Sequence, residues 1–349
     1  MTKPINLALQ GGGAHGAFAW GVLDRLLEGD EIEIAGISGT SAGALNGAAV
    51  AAGLASRRGK AGRKAARENL DHVWAEVGQF SDNRMVRWLA SMVPIPRGMQ
   101  RWTEMLSPFA WMEGVSRIFS PYDSGPFYTN PLGGIIRDMP HKLRPERKAG
   151  PQFFVTATNV RTGRVRIFSD GEVTPDAVMA SGCLPTLFRA VEIDDPATGR
   201  NEAYWDGGYS GNPALFPLFT PALPKDIVIV TINPMERESI PRTPIEIQDR
   251  INEISFNSSL LRELRAIQFM KRLSAEGRLT DRGMKEPLIH LISDDRLMTS
   301  LGSRTKLMPG PGLLEKMKDA GRAAAERFLA EDYDRLGRTD TVDLPRLYG

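Results

Sequence analysis

Two short apolar runs near the start of this chain each end in a glycine-bearing turn and hand over to a helix-period run. Residues 5–9 lead into Gly11-Gly12-Gly13-Ala14-His15-Gly16, after which Phe18, Val22, Leu23, Leu26 and Leu27 recur at helical spacing. Residues 31–37 carry Ile32, Ile34 and Ile37 and lead into Gly39-Thr40-Ser41-Ala42-Gly43, followed by a small-residue helix over 42–55. A repeated strand–turn–helix unit constrains the fold strongly, because parallel strands need a helix to carry the chain back between them. Both turns then lie at the C-terminal edge of the strands, where sites of α/β proteins assemble.

The rest of the chain extends this pattern. Strands are expected over 153–158, 227–232 and 288–292, and 164–168 should pair with the first as a hairpin turning at Thr162-Gly163. A long helix is expected over 245–273 and an amphipathic helix over 313–329. No internal repeat or domain linker is visible. The expected organisation is a catalytic core over 1–230, with 231–349 adding a strand and helices to the same domain.

Composition narrows the function classes. The 349 residues carry 44 basic and 42 acidic side chains, a net charge of +2. That balance gives no reason to expect a nucleic-acid partner. The lone Cys183 rules out an intrachain disulfide and a Cys-rich metal site. The N-terminus reads Met-Thr-Lys-Pro and enters a strand at once, without a signal-peptide pattern. The expected location is cytoplasmic, with peripheral contact at a membrane or lipid surface.

Gly39-Thr40-Ser41-Ala42-Gly43 is a G-x-S-x-G elbow. A serine hydroxyl attacks poorly at neutral pH unless a base takes its proton. A sharp strand-to-helix turn exposes that hydroxyl, and the flanking glycines let strand and helix approach. The helix that follows points its N-terminus at the reacting carbonyl, which favours developing negative charge.

Gly11, Gly13 and Gly16 also satisfy the G-x-G-x-x-G spacing of dinucleotide-binding folds. Such folds want an acidic residue at the end of the second strand to hold a ribose. Here that position is a serine elbow, and Glu31 and Glu33 lie at the strand's beginning. An oxyanion hole fits better, with donors from Gly12 or Gly13 and from the Ala42 N–H.

A conventional triad needs a histidine after the acid. His15 lies in the glycine loop, His72 in a helical run, and His141 among Lys142, Arg144 and Arg147. His290 alone has a suitable place in chain order, but it sits inside the strand 288–292. Asp206 in Trp205-Asp206-Gly207-Gly208-Tyr209 is the stronger partner, because a turn of two glycines lets it approach another loop closely. Burial beside Ser41 would raise its pKa and make it a better base.

With Gly11–Gly16, Gly39–Gly43 and Asp206–Gly208 in this order, the chain resembles the patatin-like phospholipases and lipid acyl hydrolases. Ala180-Ser181-Gly182-Cys183-Leu184-Pro185-Thr186 resembles the small-residue segment that precedes the family's aspartate. The resemblance covers about residues 5 to 230 and implies a three-layer α/β/α fold with a mostly parallel central sheet. It also implies a Ser41–Asp206 dyad that cleaves lipid esters, of the phospholipase A or lysophospholipase type, through an acyl-enzyme. No cofactor and no metal are implied. Many members carry Arg or Lys where this chain has His15. Two other readings stay open: a Ser-His-Asp esterase using His290, and a non-catalytic lipid or nucleotide binder.

Two weaker signals remain. Residues 85–128 hold Trp88, Trp102 and Trp111 with several Met and Phe, either as ordinary core or as an acyl-chain pocket or lid. Arg57, Arg58, Lys60, Arg63, Lys64 and Arg67 form a basic run, either a solvated face or a contact for anionic headgroups.

Overall fold

The computed structural model describes residues 2–79, 120–123, 128–144, 149–278, 285–301, 305–306 and 311–348. Most of the aromatic segment 85–128 lies outside the described residues. The strands are β1 (Lys3–Leu9), β2 (Ile32–Thr40), β3 (Gln152–Asn159), β4 (Val165–Ser169), β5 (Val191–Asp195), β6 (Arg200–Asp206), β7 (Asp226–Val230) and β8 (Leu288–Ile292). They form one sheet in the order β5-β6-β3-β2-β1-β7-β8, with β4 also paired to β3. The run β3-β2-β1-β7-β8 is parallel throughout. The pairs β3–β4, β3–β6 and β5–β6 are antiparallel.

The two faces of the sheet explain the layers. In β1, Ile5, Leu7 and Leu9 join a core that includes Phe18 and Val22 of helix α1 (Gly16–Glu28) and Ala44 and Ala48 of helix α2 (Ala42–Ser56). Ala8 faces the other way, into a second core. That core contains Leu260, Leu264 and Ile267 of the helix Pro244–Ala275. Alternation along β7 is the same, with Val228 and Val230 on the first side and Ile227 and Ile229 on the second. The result is the expected three-layer α/β/α arrangement around a mostly parallel sheet.

The hairpin is as expected, with Thr158 opposite Val165 and Gly163 at a φ of 67°. Strands β5 and β6 had no clear signal in the sequence. Part of the basic run turns inward: Arg63 donates to the backbone carbonyls of Leu26, Gly29 and Ile32, and Arg67 pairs with Asp24 at 2.6 Å. These two side chains tie the helix Gly59–Gln79 to the body of the protein. No helix among the described residues is long and apolar enough to cross a membrane.

Register on β3 builds the site. Residues 154–156 pair with both β2 and β4, so those strands lie on opposite edges of β3. Ala157 and Thr158 pair with both β4 and β6, so β6 takes the same edge as β2. Parallel β2 therefore ends at Thr40 opposite Thr156, and antiparallel β6 ends at Asp206 opposite the next residue, Ala157. Two strands running toward each other bring their C-terminal ends together. Ser41 and Asp206 meet at that junction.

Candidate active site

Ser41 joins β2 to α2 with φ 54° and ψ −122°, a backbone conformation uncommon for a residue with a side chain. Such a residue carries on the order of 1–3 kcal/mol of strain and persists only when its surroundings hold it. Here they do. The Ser41 N–H donates to Ser181 Oγ at 2.8 Å, and that hydroxyl donates to the Thr156 carbonyl at 2.6 Å. On the helix side, a Cβ at Gly43 would stand 2.1 Å from the Leu9 carbonyl oxygen, so only glycine lets α2 start this close to β1. Ser41 is 7% exposed, and the Ala42 N–H opens the helix directly after it.

Asp206 is fully buried. Its N–H donates to the Cys183 carbonyl at 2.8 Å, its carbonyl accepts from Thr158 Oγ1 at 2.8 Å, and its Oδ1 accepts from the Gly208 N–H at 2.7 Å. The turn passes so close to β3 that a Cβ at Gly207 would lie 2.1 Å from the Thr156 carbonyl oxygen. Burial pushes the carboxyl pKa up to about 7; the Gly208 N–H and the neighbouring Ser41 hydroxyl oppose that shift. Ser41 thus lies beside the carboxylate, yet Oδ2 has no partner in full hydrogen-bond geometry. Catalytic hydrogen bonds are commonly loose without substrate and tighten when it binds.

The glycine loop follows β1, next to the elbow. Its Gly11 N–H donates to Asn212 Oδ1 at 2.6 Å, and its Gly11 carbonyl accepts from Asn233 Nδ2 at 2.8 Å. Gly11 is thereby committed to holding the loop, which leaves the Gly12 and Gly13 N–H groups as the loop's candidate donors. Gln10 adds a second brace, accepting from the N–H groups of Ile232 and Asn233 and donating to Asn257. Gly16 opens α1 and Gly39 precedes the elbow in β2.

The histidines fall elsewhere or stay neutral. His290 lies in β8 with Nε2 2.9 Å from Asp226 Oδ1. Asp226 begins β7, at the edge of the sheet opposite the elbow, so His290 is a paired sheet residue and gives the triad reading no base. His141 sits 2.9 Å from Glu68. His15 is buried in the glycine loop with Nε2 2.7 Å from Thr305 Oγ1. Burial, then the charges of Lys306 and Arg237, push its pKa down to about 3. It is uncharged near neutral pH.

Sequence reasoning missed the braces. Asn212, Asn233 and Gln10 hold the glycine loop through buried hydrogen bonds that no motif spacing announces. Ser181 had a signal, since it lies in the small-residue segment, but its partner could not be read from that. Ser181→Ala should lower kcat for a soluble ester about tenfold with little change in KM. It should also cost about 1–3 kcal/mol of stability, because two buried groups lose a partner. A Ser181→Ala enzyme with wild-type kcat would show that the elbow holds itself.

With this geometry in place, comparison with known proteins decides the family. The Patatin-like phospholipase family profile matches residues 7–219, more than half of the chain. The chain belongs to the patatin-like phospholipase family. The family-matched region contains the glycine loop, the elbow and Asp206. Among solved structures, the chain is similar to VipD from Legionella pneumophila, at 16% identity and a TM-score of 0.40. That similarity covers 93% of this chain, which spans 66% of the VipD chain. No curated protein sequence matches.

Proposed function

We propose that this protein is a serine acyl hydrolase that cleaves carboxylic esters of lipids through a Ser41–Asp206 dyad, of the phospholipase A or lysophospholipase type. The observation that carries this reading is the head-on meeting of β2 and β6 along β3, which sets the Ser41 elbow beside the Asp206 carboxyl, whose pKa burial pushes up to about 7. Asp206 takes the hydroxyl proton as Ser41 Oγ attacks the ester carbonyl. The Gly12, Gly13 and Ala42 N–H groups receive the oxyanion. Collapse of the tetrahedral intermediate expels the alcohol, which regains its proton from Asp206 and leaves an acyl-Ser41 ester. Water then attacks that ester, again with Asp206 as base, and releases the fatty acid.

The acyl substrate is a lipid ester, met by peripheral contact with a membrane or lipid surface. Residues 231–349 belong with 1–230 in one catalytic domain, a reading supported by β8 extending the sheet beside β7. The test is release of free fatty acid from phosphatidylcholine and lysophosphatidylcholine vesicles, with a fluorophosphonate label mapped by peptide mass. Labelling at Ser41 with Ser41-dependent fatty-acid release is the expected result. An unlabelled wild-type protein that binds vesicles without hydrolysis would establish the binder reading instead.

A further inference from the structure

The glycine loop has a cation from outside the family-matched region pressed against it. Lys306 Nζ donates to Asn233 Oδ1 at 2.8 Å, and the same Asn233 amide donates to the Gly11 carbonyl at 2.8 Å. Asn233 Oδ1 lies 3.3 Å from where a Gly12 side chain would begin. The Lys306 carbonyl oxygen lies 2.5 Å from the position of a Cβ at Gly13, whose φ is 60°. Its neighbour Thr305 holds His15 of the loop at 2.7 Å. Two successive residues thus meet the loop, Thr305 by a hydrogen bond to His15 and Lys306 by its backbone beside Gly13 and, through Asn233, at Gly11.

We propose that Lys306 is a positioning residue for the oxyanion loop: docked on Asn233, it fixes the Gly12 and Gly13 donors and sets a positive charge behind them. This rests on the acyl-hydrolase reading above. The charge around the loop favours this role. His15, the loop's own titratable side chain, is neutral near pH 7 and supplies no charge. Arg237, after β7, is engaged by Glu253 at 2.6 and 2.8 Å. The groups facing Lys306 are Arg237, which disfavours its charge, and Glu253 and Asp249 of the helix Pro244–Ala275, which favour it. Burial is the largest influence and holds the ammonium below the ordinary lysine range. Oriented charge beside amide donors acts most where water is excluded.

The test uses a soluble p-nitrophenyl ester with wild type, Lys306→Met, Lys306→Arg and Ser41→Ala. Lys306→Met should lower kcat about thirtyfold with KM within about twofold, less than the roughly hundredfold or greater loss of a direct oxyanion donor because Lys306 acts through the loop. Lys306→Arg should stay within about threefold. The alkaline side of the kcat profile separates charge from packing. Wild type should lose activity as Lys306 deprotonates below the usual lysine range. Lys306→Arg should keep it to higher pH, because a guanidinium does not deprotonate there. Lys306→Met at wild-type kcat, or Lys306→Arg with an unchanged alkaline limb, overturns the proposal. Should Lys306→Met fail to fold by thermal melt, the Lys306→Arg limb decides alone. Wild-type turnover that Ser41→Ala does not diminish instead overturns the Ser41 acyl-hydrolase reading on which the proposal rests.

Discussion

Ser41→Ala should reduce ester hydrolysis by roughly four orders of magnitude or more and abolish covalent labelling by a fluorophosphonate. In the proposed mechanism the oxyanion is received beside the start of α2, and Ser41 is the hydroxyl that the elbow presents there. The probe reports the same event, since attack by Ser41 Oγ on phosphorus expels fluoride and leaves a stable adduct. The protein should fold as before. Alanine is as strained as serine at φ 54°, the Ser181 Oγ still accepts the residue-41 N–H, and Gly43 still meets Leu9. Thermal melting within a few degrees of wild type would confirm that chemistry alone was removed. A Ser41→Ala protein that still turns over ester or takes the label would mean the nucleophile lies elsewhere.

Much of this was legible in the sequence, for reasons particular to certain residues. The first two strand–turn–helix units were readable because apolar runs switched period across glycines. The positions of Ser41 and Asp206 could be read because each lies in a turn whose glycines serve steric needs visible in the sequence. Those needs are met at Gly43 and Gly207, where hypothetical Cβ atoms would stand 2.1 Å from carbonyl oxygens of β1 and β3. What was not legible was the meeting of the two halves. That depends on β6 replacing β2 along one edge of β3, and β6 reads Arg-Asn-Glu-Ala-Tyr-Trp-Asp, with too little apolar alternation to announce a strand. The antiparallel β5–β6 pair was missed for the same reason. The braces on the elbow and loop were hidden too, because Ser181, Asn212 and Asn233 act through buried hydrogen bonds to backbone far away in the chain. A long-range bond of that kind leaves no periodicity behind. His290 shows the converse. Its place in the chain suited a triad, but side-chain direction in β8 sent it to Asp226 at the other edge.

Asp206→Asn should lower kcat/KM at least about a hundredfold, the lower range for loss of a general base, and should change two pH profiles in opposite senses. In wild type the carboxyl must be ionised to accept the Ser41 proton. With its pKa raised to about 7 by burial, activity should climb as pH rises toward neutrality and then level. The residual activity of Asp206→Asn should lack that rise. Stability runs the other way. The folded-state pKa lies above the unfolded value of 3.8, so between these two values the native state binds more protons than the unfolded chain. Wild-type stability therefore falls as pH rises from about 4 through about 7, by on the order of a few kcal/mol for one fully buried carboxyl. The substituted carboxamide would be uncharged throughout, and its oxygen can still accept from the Gly208 N–H. Asp206→Asn should thus melt at or above the wild-type temperature at pH 8 while being nearly inactive there. Calorimetric melts and kcat/KM from about pH 5 to 9 on the same two proteins supply both profiles. An active Asp206→Asn enzyme, or one that keeps the wild-type pH rise, would assign the base to another group.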